Sequence, residues 1–101
     1  MSERTAPSLA KLDDLLAALK SLPAGPSKEE LVETAEALRR AVAAFHMEAI
    51  RFRMHSVDRL LKPMNEAKAQ AVFQEVRHEL EAAGFHTRSH AAPPTGAPKT
   101  T

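Results

Sequence analysis

Five histidines and a run of arginines are the residues of this 101-residue chain best equipped for chemistry. Metal ligands on one helix must share a face, at spacings of three or four. His46 and His55 are nine apart and project to opposite sides of a helix, so they cannot chelate together. Glu75 and His78 form the Glu-x-x-His pair that ferritin-like di-iron bundles use. Such a site needs matching pairs on other helices, and no second pair occurs in the sequence. Glu75 and His78 therefore stand as minor metal candidates, and no cofactor is expected. His86 and His90 open a Thr-, Ala- and Pro-rich tail and read as incidental.

Arg39, His46 and Arg53 recur at heptad spacing and predict a cationic strip beside the apolar face of one helix. If that strip is partly covered it needs an anion, with Glu75 as the first candidate and a small anionic ligand as the second. Arg40, Arg51, Arg59 and Lys62 could meet phosphates, whose contacts supply salt-sensitive, non-specific affinity. No helix-turn-helix signature or arginine-rich arm accompanies them, and the chain has no Trp or Tyr for bases to stack on. With a formal net charge of +1, nucleic acid is not an expected partner.

The absence of cysteine excludes disulfides, thiolate metal sites and Cys nucleophiles. Nearly every carboxylate falls on an expected solvent-facing position, which leaves no desolvated acid–base pair, so no enzyme is expected. His78-Glu79-Leu80 is similar to the start of the phospho-acceptor box of histidine-kinase dimerisation helices. Only three residues match, and the Arg-x-Pro that should follow is missing.

The elements that would position these groups are all helical. Leu9, Leu12, Leu16 and Leu19 make one stripe of a first helix over about 9–22, which Ser8 could cap. Pro23-Ala24-Gly25-Pro26 stops it. The stretch 28–62 holds no Gly or Pro and predicts one long central helix, opened by a capping box from Ser27 and Glu30. At about 1.5 Å per residue it would span roughly 52 Å. A third helix is expected over 65–83, capped by Asn65 and closed by a left-handed Gly84 before Phe85. The fold class is then all-α, with a long helix flanked by two antiparallel shorter ones. Residues 1–86 form one domain, and 87–101 form a flexible tail.

The long helix carries two apolar stripes. Leu31, Ala35, Leu38, Val42, Phe45, Ala49 and Phe52 form the first. Ala43, Met47, Ile50, Met54, Val57 and Leu61 form the second, about a third of a turn round and confined to the C-terminal half. The first helix would cover Leu31–Val42, and the third would cover the second stripe, with Glu75 near Arg53. That leaves Phe45, Ala49 and Phe52 bare unless the helices splay or bend so that the third helix or Phe85 covers them, and they predict a homodimer interface or the seat of another protein partner. Charge is also ordered: residues 28–38 carry four Glu against one Lys, and 39–62 carry six basic residues against Glu48 and Asp58. Such an order complements a helix dipole.

The expected function is a non-enzymatic helical interaction or scaffold module that homodimerises through its long central helix. The alternative is a small helical dimer binding an anionic ligand, nucleic acid or metal through the Arg39, His46 and Arg53 strip. No apolar run approaches the ~20 residues of a membrane span. The opening seven residues have no apolar leader core, so a cytoplasmic protein is expected.

Overall fold

The computed structural model describes residues 4–85. The expectations for the tail, His86 and His90 lie outside them. Four α-helices follow in order: α1 Ala6–Lys20, α2 Pro26–Ala43, α3 Met47–Leu61 and α4 Ala67–Ala82. A 3-10 turn, Lys62–Met64, follows α3 directly. The all-helical class stands, but the long central helix does not: it is two helices folded back on each other.

The break lies at Ala44-Phe45-His46, where nothing in the residue types demands one. Phe45 takes a left-handed backbone, φ +58°. His46 N–H donates to the Ala41 carbonyl at 2.9 Å and Phe45 N–H to that of Val42 at 3.1 Å. This is a Schellman closure with phenylalanine where glycine is usual. The left-handed position costs about 1–2 kcal/mol for a residue with a Cβ. Folding back lets Ile50, Met54, Val57 and Leu61 reach full burial. At about 1.5–3 kcal/mol per large apolar side chain, that gain outweighs the strain several-fold. A straight helix over the same residues would by itself span roughly 52 Å. The Cα radius of gyration is instead 13.7 Å.

Three helix starts differ from expectation for related reasons. α1 begins after Thr5, with Pro7 in its first turn; Ser8 is buried inside the helix and does not cap it. α2 begins at Gly25-Pro26, because proline's fixed φ suits the first helical position. Ser27 therefore lies inside the helix, and no side-chain cap forms with Glu30. Asn65 is left-handed, φ +55°, which ends the 3-10 turn; Glu66 takes the N-cap position of α4 in its place. The Gly84 closure forms as expected, with φ +97° and Phe85 N–H bonded to the Leu80 carbonyl at 2.9 Å.

Helix α1 lies between α2 and α4, antiparallel to both. Asp13 pairs with Arg39 and Lys20 with Glu36 on the α2 side. Lys11 pairs with Glu75 on the α4 side. The leucines of α1 meet Leu31, Leu38 and Val42 of α2 and Phe73, Val76 and Leu80 of α4 in one core cluster. The third helix was expected against residues 43–61, with Glu75 near Arg53. Its main partner is α1 instead, and α3 packs on α2. Once the chain turns back at Phe45, α2 already covers the stripe that the last helix was to cover.

Along the remaining side of the bundle the α3 and α4 backbones make few close approaches. They are linked at their ends. Phe45 and Phe85 bring their rings to 6.0 Å at one end. At the other, the Gln70 side chain donates to the Leu61 and Lys62 carbonyls, both at 3.4 Å. An open recess of about 380 Å³ lies beside this second link, floored by Leu61 and Phe73 and rimmed by Asp58, Lys62 and Gln74.

Candidate functional site

The turn between α2 and α3 carries most of the residues singled out in the sequence. Phe45, as the left-handed residue, is held off both helix axes and is 44% exposed. Its inner side meets Phe85, and the Arg4 guanidinium lies 5.6 Å from the Phe85 ring centre. Arg4 also donates through Nε to the Ala83 carbonyl at the end of α4. The last turn of α4 offers unpaired carbonyls and the negative end of its dipole, which favours a cation there.

Ala49 is half-buried against the core. Phe52, one turn further along α3, is 60% exposed. The Arg53 guanidinium stands 5.1 Å from its ring centre, a cation–π contact on the solvent side of the helix. Ser56 Oγ donates back to the Phe52 carbonyl at 3.1 Å. Phe45 and Phe52 are the exposed large hydrophobic residues among those described; the other large apolar side chains are buried or half-buried.

The cationic strip is not one face of one helix. Arg39, on α2, forks onto Asp13 of α1 through Nε at 2.7 Å and a terminal nitrogen at 3.3 Å. His46 is the N-cap of α3, and its Nδ1 accepts the Ala49 N–H at 3.3 Å. Arg53 is on Phe52. Each has a contact within the fold, and Arg39's anion is Asp13 where Glu75 was the first candidate. Asp13 is an exposed residue off the leucine stripe of α1. Its pairing with Arg39 depends on how the two helices face each other, which spacing alone does not give.

Glu75 is held by the Lys11 ammonium at 3.1 Å. The hydrogen bond and charge of Glu75, with help from Asp14 and Glu79, raise the Lys11 pKa above its ordinary 10.5. His78 is exposed beside this pair, at a shallow surface recess shared with Gln74 and Glu79. Among the described residues no three His, Asp or Glu side chains gather as a metal site would require. Glu75 and His78 thus gain no third ligand in this structure. No helix of the described residues is long and apolar enough to cross a membrane.

Helix α3 shows a further regularity along its outer face. Its exposed residues are Glu48, Phe52, His55 and Arg59, continued by Lys62. The spacing is four, three, four, three. In a straight long helix Phe52 belonged with Phe45 and Ala49; in the separate α3 it sits on the outward seam with His55 and Arg59.

No protein family, no characterised protein and no solved structure matches this chain.

Proposed function

We propose that the chain is a non-enzymatic interaction module that associates with a second copy of itself through the aromatic surface around the α2–α3 turn. The supporting observation is the exposure of Phe45 and Phe52 in a fold that otherwise buries its large apolar side chains. Phe45 is informative because it is costly twice over, in backbone strain and in exposed ring. Covering an exposed Phe is worth about 1.5–3 kcal/mol. One helix of 15 residues offers a short seam against the ~800 Å² per partner of a standard interface. The association is accordingly weak and reversible. The interface moves from a long central helix to α3 and its entry turn, with Ala49 at the rim.

Anion binding by Arg39, His46 and Arg53 has no observation in its favour, since all three side chains are engaged with Asp13, Ala49 and Phe52. Sedimentation velocity over a concentration series from about ten to several hundred micromolar tests the dimer. Wild type should shift toward the dimer with rising concentration, and Phe52→Glu should remain monomeric with unchanged helix content. A wild type that sediments as a monomer throughout refutes self-association.

A further inference from the structure

The outward seam of α3 is its own complement. Its residues lie at 48, 52, 55, 59 and 62, a set symmetric about 55 to within one residue. Turned end for end, the seam places Glu48 against Lys62, Phe52 against Arg59 and His55 against itself. Opposite charges meet at both ends. An aromatic ring meets a guanidinium on each side of the centre, and identical residues meet where a two-fold axis requires it. A two-fold interface must be self-complementary in this way. The alternating spacing of three and four is that of residues lining a helix–helix seam.

We propose that two copies pair through antiparallel α3 helices crossing at His55. This rests on the homodimer reading above and adds its geometry for the Phe52 side of that surface: the occupant of the seam is the same seam of a second chain, with Phe45 beyond its Glu48 end. Phe52 already carries Arg53 near its ring, and the partner's Arg59 would supply a second cation to it. Arg59 forms no ion pair among the described residues, so this contact breaks none. Lys62 has only a long 3.8 Å contact to Asp58, with its own side chain 76% exposed, so a Glu48 carboxylate across the axis can compete for it. The outer stripe of α2, Glu29, Glu33, Glu36 and Arg40, also pairs opposite charges at its ends but presents no large apolar residue. That favours α3.

Because the chain has no cysteine, single introduced thiols report the register without background. In His55→Cys, two symmetry-related thiols face each other at the crossing. Mild oxidation of the full chain should give a covalent dimer, since a disulfide needs Cα atoms within about 7 Å. Glu48→Cys alone should not cross-link at comparable rate, but mixed with Lys62→Cys it should. Charge exchange gives a second, non-covalent readout. Glu48→Lys and Lys62→Glu each set two like-charged pairs across the axis and should weaken the dimer roughly tenfold. Glu48→Lys combined with Lys62→Glu should restore it. These positions are exposed, so the fold is retained, which helix content confirms. A wild type that never dimerises overturns both this geometry and the homodimer reading. A wild type that dimerises while His55→Cys fails to cross-link and the double exchange fails to restore overturns the antiparallel seam alone.

Discussion

Replacing Phe45 by glycine and, separately, by alanine measures the break between α2 and α3 directly. Both substitutions lose the packing of a ring that is 44% exposed. A little over half of a full Phe burial is about 1–1.5 kcal/mol. Alanine keeps the cost of a Cβ at φ +58°. Glycine releases about 1–2 kcal/mol of that strain and forfeits about 0.5–1 through its freer unfolded chain. Glycine should therefore exceed alanine by about 0.5–1 kcal/mol. In the interior of a continuous helix the order reverses, with glycine about 1 kcal/mol worse. The two geometries thus differ in sign. With no Trp or Tyr to follow, urea unfolding is read by far-UV circular dichroism. It should be done at a concentration low enough that both variants are monomeric. Phe45→Ala should lower stability by about 1–1.5 kcal/mol, with Phe45→Gly closer to wild type. An alanine variant as stable as the glycine variant, or more so, would refute the left-handed turn.

Other substitutions test neighbouring parts of the same account. Ser8 Oγ is buried without a hydrogen-bond partner, so Ser8→Ala should stabilise by about 1 kcal/mol, whereas loss of a true N-cap would destabilise by a similar amount; urea midpoints separate the two. His46→Ala should lower stability by about 1 kcal/mol and His46→Asn should recover it, because asparagine supplies a stronger cap acceptor to α3. Leu38→Ala, at a fully buried site, should cost about 2–5 kcal/mol and lower the thermal midpoint read by circular dichroism by about 10 °C or more. The Lys11 pKa is raised in the fold, so whatever stability that shift contributes is present at neutral pH and fades as the pH climbs through the raised value. Wild type and Lys11→Gln should accordingly converge in thermal midpoint at pH well above 10.5, and high salt should shrink their difference as well.

Much of this fold can be read from the residues, and the point of failure has a physical cause. The leucines of α1 and the Gly84-Phe85 closure follow from local rules, because periodicity and a left-handed glycine act within a few residues. The turn at Phe45 does not. No residue from 28 to 62 is a helix breaker, and the decision rests on what the two halves bury when they meet. The trace it leaves is the phase shift between the Leu31–Val42 stripe and the Ile50–Leu61 stripe. Such a shift marks two helices with separate partners as readily as one helix with two flanks. The exposed aromatics were legible as Phe45 and Phe52; the fold leaves Phe52 mostly exposed and covers Phe45 in part with Phe85. Their assignment to a common stripe was not, since it assumed one uninterrupted helix. The same assumption tied Arg39, His46 and Arg53 together, and it hid the seam from Glu48 to Lys62.

The position of α1 between α2 and α4 has a consequence for the order in which the molecule assembles. Five residues join α1 to α2 and three join α2 to α3, so both hairpins close short loops and can form from adjacent chain. The last helix has no such option. Its neighbour in sequence, α3, is not its main partner; that is α1, at the other end of the chain. It docks on α1 by closing the longest loop in the fold, and its departure leaves the α1–α2 and α2–α3 hairpins in contact. Local opening of this kind is visible in native-state hydrogen exchange. The α4 amides should exchange through a lower-energy opening than those of α1 and α2, and equal protection across all four helices would count against it.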